Sequence, residues 1–167
     1  MMEERLRVLR AMNEVTAPID LNGFARMVNL TPEQALAHMV ELERTGFARK
    51  KGAGFGITEK GLIALRALTP VPKEMAFHFY TEVGQPTGFS AQTLMDFYEI
   101  VKRVPAASLE FHLYREDFEK WVRAAFSETA LAEEVASLKR AGLKGENLRQ
   151  ALLTAVQAKF PSYTPST

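Results

Sequence analysis

The sequence predicts a mainly α protein in two parts: a domain of three to four helices with a small β-wing, then an all-helical bundle. Three observations carry this. Apolar residues recur at helical spacing through most of the 167 residues. One short glycine-centred stretch, Phe47 to Thr58, abandons that period. The pair Pro70 and Pro72 then interrupts the chain, because two prolines so close cannot sit inside a helix. The expected divisions are residues 1–69, 70–160 and a mobile tail over 161–167.

Residues 2–15 read as an amphipathic helix with Leu6, Val8, Leu9 and Met12 inward, and Glu3, Glu4, Arg5, Arg7 and Arg10 wet. A loop follows, in which Ile19 is expected to form a short strand. Phe24, Ala25 and Val28 make the apolar side of a short second helix, and Asn29-Leu30 a turn. Thr31 is a suitable N-cap, with Pro32 at the first helical position and Glu33 in the first turn. The third helix carries Leu36, Met39 and Val40 at helical spacing, widened by Ala35 and Leu42, and Gly46 stops it. Phe47–Lys51 and Phe55–Thr58 flank Gly52-Ala53-Gly54 as the arms of a hairpin. Thr58 then caps a helix bearing Leu62, Ile63 and Leu65.

Beyond the prolines, Ala76–Tyr80 alternates and is expected to be extended, with Val83–Gly88 a turn-rich loop. Ser90 is expected to cap a helix reaching Arg103, and Pro105 to end it. Ser108–Tyr114 fits helix or strand; the stripe Phe118, Trp121, Val122, Ala125 and Phe126 favours helix. Two more helices follow, one from Ser127 to Gly142 and one from Glu146 to Phe160.

The order helix, turn, helix, glycine-tipped hairpin, helix over the first 68 residues or so, with the ending Thr58-Glu59-Lys60-Gly61, resembles the winged helix-turn-helix of the multiple-antibiotic-resistance and phenolic-acid regulator families. That resemblance implies a transcription regulator. Its third helix would enter the major groove while the hairpin, or wing, meets phosphate. Thr31, Glu33, Gln34, Ala37, His38 and Glu41 would face out. Gln34 suits adenine, and His38 a guanine or a phosphate. Arg49, Lys50 and Lys51, with Lys60 beyond, would bind phosphate. The second half, through Phe77-His78-Phe79-Tyr80, Ser108–Trp121 and Leu143–Arg149, resembles an uncharacterised domain family of archaea and some bacteria, which implies no activity.

Charge weighs against DNA. The formal net charge is only +1, and residues 1–70 hold ten Lys and Arg against eight Asp and Glu, a net of +2. Glu33, Glu41 and Glu43 crowd the third helix around a single Arg44. The rival expectation is therefore an adaptor that uses the same fold for protein contact, without DNA. Double-stranded DNA is the partner expected first. A homodimer is also expected, since one recognition helix reads few bases, and the second half could hold a further protein partner.

Enzymatic chemistry is not expected, and neither is a cofactor. Paired carboxylates, a nucleophile elbow and a phosphate loop are all missing from the sequence, and Gly52–Gly56 has the wrong glycine spacing for the last. His78 and His112, with Glu110 or Asp117, lack metal-ligand spacing, so no metal is expected. Tyr80, Tyr98, Tyr114 and Trp121 fit a small pocket or a packed core equally well. Arg115 and Asp117 fit an ion pair at a helix start. The sequence holds no cysteine, no apolar run near 18 residues and no leader pattern, so a soluble cytoplasmic protein without membrane contact is expected.

Overall fold

A computed structural model describes residues 2–15, 20–52 and 54–159. Ile19, Ala53, Phe160 and the tail over 161–167, each the subject of an expectation above, lie outside the described residues. The protein is mainly helical, with two separate two-stranded antiparallel sheets among the described residues. It divides into two compact units, Met1–Arg66 and Ala67–Thr167. Among the described residues no helix is long and apolar enough to cross a membrane.

The first unit runs α1 (Met2–Glu14), α2 (Leu21–Met27), α3 (Pro32–Arg44), β1 (Ala48–Lys51), β2 (Gly54–Ile57) and α4 (Glu59–Leu68), whose last residues cross into the second unit. Asp20 caps α2 by accepting from the Gly23 N–H at 2.6 Å. Its core is Val8, Leu9 and Met12 from α1, Phe24 and Ala25 from α2 with Val28 just beyond, and Ala35, Met39 and Leu42 from α3. This changes the expected facing of α3. Leu36 and Val40 are 42% and 52% exposed, while Ala35, His38, Met39 and Leu42 line the buried side. The alternatives differ by one residue's rotation, and both stripes are apolar at helical spacing. The inner one buries Ala35, Met39 and Leu42, and Glu4 of α1 offers His38 the partner that lets an imidazole be buried among them.

Gly61 explains how α4 closes against the hairpin. A Cβ there would stand 2.2 Å from the Phe47 carbonyl oxygen and 2.7 Å from Ile57 Cγ1, so only glycine fits. Thr58 fixes the approach: its hydroxyl donates to the Gly46 carbonyl at 2.6 Å and accepts from the Gly61 N–H at 3.0 Å.

The second unit is not the all-helical bundle expected. After a 3-10 turn at Lys73–Met75 comes a hairpin, β3 (Phe77–Glu82) and β4 (Gln85–Ala91). Most of Val83–Gly88, expected to be loop, is strand; the turn is only Val83-Gly84, with Gly84 at φ 78°. Pro86 is tolerated because it pairs with Tyr80 where the register is irregular. Five helices follow: α5 (Leu94–Val101), α6 (Ala106–Tyr114), α7 (Asp117–Phe126), α8 (Thr129–Arg140) and α9 (Gly145–Lys159). The cap of α5 is Thr93, in a reciprocal capping box with Asp96, and not Ser90, which lies within β4 opposite His78. Glu116, left-handed at φ 69°, separates α6 from α7.

Phe77, Phe79, Phe97 and Phe118 form the centre of this unit, with Trp121 and His112 against them. Phe77 stands 4.8 Å from Phe79 and 5.2 Å from Phe118 between ring centroids, and Phe97 stands 5.2 Å from Phe118. Leu94, Leu109, Leu113, Leu131, Leu148 and Leu152 close the core around these rings.

Candidate functional site

The residues expected to meet DNA divide into two groups by what already holds them. Thr31 and Gln34 are locked to each other: Thr31 Oγ1 accepts from the Gln34 N–H at 3.1 Å, and Gln34 Oε1 accepts from the Thr31 N–H at 3.0 Å. This is a capping box, with glutamine in the third position. It starts α3 and fixes the amide that was to read a base. His38 does not face out as expected. It is 8% exposed, with Nε2 at 3.2 Å from Glu4 Oε2. Lys60 donates to the Thr45 carbonyl at 2.6 Å and lies 4.9 Å from the Phe47 ring centroid, so it caps the C-terminus of α3.

Arg49, Lys50 and Lys51 stay exposed along β1. The register pairs Arg49 with Gly56 and Lys51 with Gly54, so two cations rise from one face of the hairpin and glycines lie opposite them. A Cβ at Gly56 would sit 3.4 Å from Lys51 Cδ; its absence lets that chain lie over the neighbouring strand. Lys50 pairs instead with Phe55, on the face shared by buried Ala48. One side of the ribbon is therefore a flat cationic strip with little side-chain bulk.

One acid of α3, Glu41, is paired within the helix. Arg44 holds Glu41 with two N–H donors, from Nε at 2.9 Å and from Nη2. That hydrogen bonding, helped by the charges of Arg44 and Arg5, holds the Glu41 carboxyl below the usual range, and the same bond with the Glu41 charge raises the Arg44 guanidinium.

His112 is fully employed. Its Nε2 accepts the Tyr80 backbone N–H at 2.8 Å, so its proton belongs on Nδ1, which donates to Asp117 Oδ2 at 2.9 Å. Burial lowers its pKa, against the opposing pull of the Asp117 carboxylate. Neither ring nitrogen has a lone pair left for a metal. His78 is elsewhere, exposed on β3, with Nδ1 at 2.6 Å from Ser90 Oγ. Among the described residues no group of three or more His, Cys, Asp or Glu could hold a metal ion. Asp117 also meets Arg115 at 3.4 Å.

Two of the aromatic residues weighed as a pocket, Trp121 and Tyr114, act as latches. Trp121 Nε1 donates to the Met75 carbonyl at 2.7 Å, and the Tyr114 hydroxyl to the Leu143 carbonyl at 2.8 Å. Glu110 accepts from the Gly145 N–H at 3.2 Å at the start of α9. Sequence reasoning missed Arg149, whose Nη1 donates to the Val101 and Val104 carbonyls, both at 2.7 Å, closing the end of α5. The only available signal was a lone arginine at the head of an amphipathic helix.

Among curated proteins none matches this chain. Among solved structures none does either. A family model does match, from residue 56 in β2 to residue 157 in α9. Since that span is more than half of the 167 residues, the chain belongs to a family of unknown function, DUF5752.

Proposed function

We propose that the first unit is a winged helix-turn-helix module that binds double-stranded DNA, and that the protein is a transcription regulator working in the cytoplasm. The observation that carries this reading is the strip on β1: Arg49 and Lys51 on one face, opposite Gly56 and Gly54. Two cations over a nearly bare ribbon can approach a phosphate backbone closely, and phosphate neutralisation supplies most non-specific affinity. Since Thr31, Gln34, His38 and Lys60 are committed to local structure, recognition would rest on the backbone and duplex shape more than on base edges. The helical second unit would serve dimerisation or signal sensing. The test is a fluorescence-anisotropy titration of duplex fragments at several salt concentrations. Affinity that is weak at low salt and unchanged when Arg49, Lys50 and Lys51 become alanine would refute the reading.

A second reading, a protein-contact adaptor, is favoured by one observation: α3 exposes Leu36 and Val40, and α2 exposes Met27 at 52%. Purified protein that retains one protein partner and no nucleic acid would support it over the first.

A further inference from the structure

The outward side of α3 is its own complement. Glu33, Leu36, Ala37, Val40 and Arg44 share an arc of roughly 100°, opposite the buried residues of the same helix. In chain order the stripe runs acid, apolar, small, apolar, base. Reversed against itself, it brings base to acid at both ends and Ala37 to Val40 at the middle, with Leu36 flanking that pair from each copy.

We propose that the chain forms a two-fold dimer in which α3 packs antiparallel against α3 of a second copy. An isologous contact must be self-complementary, and this stripe meets that condition. Glu33 of each copy would meet Arg44 of the other, while Ala37 lies beside Val40 and leaves room for the axes to approach. Leu36 and Val40, 42% and 52% exposed, supply the apolar surface that the contact covers. Arg44 can serve both neighbours: Glu41 occupies Nε and Nη2, and the guanidinium has further donors. Antiparallel pairing also opposes the two helix dipoles favourably. This goes beyond the DNA reading and changes it in two respects: dimerisation passes from the second unit to α3, and with α3 covered, DNA contact is left to the β1 strip of each copy.

The experiment is analytical ultracentrifugation of the full chain over a range of concentrations, with melting curves as the check on folding. Wild-type protein is expected to dimerise reversibly. E33R and R44E each place like charges at both ends, and each should raise the dissociation constant at least about tenfold. The double variant E33R/R44E should recover most of that loss, although R44E still breaks the pair with Glu41 within the helix. V40E should give monomer with little change in melting temperature. The proposal is overturned if wild type stays monomeric, or if the double variant dimerises no better than the single ones. It is also overturned if V40E lowers the melting temperature and leaves the mass unchanged, which would mean that the face packs within its own chain. R49A/K51A, which alters only the β1 strip, should keep the wild-type dissociation constant, and loss of the dimer in that variant would place the contact on the hairpin and overturn the proposal.

Discussion

The backbone N–H of Tyr80 points at Nε2 of His112 from 2.8 Å, and that bond places the proton of the neutral imidazole on Nδ1. A protonated ring would oppose two donors across it, so this bond and burial both favour the neutral form.

The consequence is a pH dependence of stability. The folded pKa of His112 is lowered by burial, so as pH falls the unfolded chain takes up its proton first. The contribution is complete above the ordinary imidazole pKa of about 6.5 and is lost as pH falls from there toward the folded value. Urea midpoints measured between about pH 7.5 and 5.5 should decline by an amount that H112A no longer shows. H112A should itself cost about 3 kcal/mol at neutral pH, since it opens a cavity and strips a partner from Tyr80 and Asp117.

Gly61 should tolerate no side chain. With the Phe47 carbonyl oxygen only 2.2 Å from where a Cβ would stand, Gly61→Ala must push α4 off the hairpin. A loss of about 2–3 kcal/mol is expected in chemical denaturation. Gly142→Ala, where nothing lies within 4 Å but φ is 68°, should cost less, about 1 kcal/mol.

Arg149 bridges α9 to the end of α5, and its side chain is only 13% exposed. Arg149→Ala leaves two carbonyls without their donor and should cost about 2 kcal/mol. Arg149→Lys should recover only part, since an ammonium placed near the two carbonyls has no second nitrogen to hold Glu146 as Nε does at 2.8 Å. Thermal melts of the three proteins decide it.

On the hairpin, salt dependence separates free cations from committed ones. If the β1 strip binds phosphate, R49A/K51A should lower the slope of log affinity against log salt by about 2. Lys60→Ala should leave the slope nearly unchanged and instead lower stability by about 1 kcal/mol, because Lys60 donates to Thr45. Equal slope changes in both variants would contradict the division drawn here.

Most element positions were legible where a local signal decides them. Thr31-Pro32-Glu33 opens α3 in the sequence and in the structure, because the bonds of a cap join residues three apart. The Phe77–Tyr80 alternation likewise marked β3. Less legible was the return strand: Pro86 and Gly88 read as loop, and only pairing with β3 makes them strand. The site divides in the same way. Arg49, Lys50 and Lys51 were visible as a basic run, yet their placement opposite Gly54 and Gly56 depends on register.

The sequence by itself determined the start of α3, the glycine punctuation and the basic hairpin, since each is written in neighbouring residues. Tertiary structure alone decided which way α3 turns and what becomes of the histidines. Two apolar stripes one residue apart were equally available on that helix, and Glu4, 34 positions away, gives His38 the partner that lets it face inward. Likewise Tyr80 and Asp117 take up both nitrogens of His112, although Tyr80 lies 32 residues from it in the chain. Partners so distant in sequence leave no local trace, because the bond exists only after the elements pack.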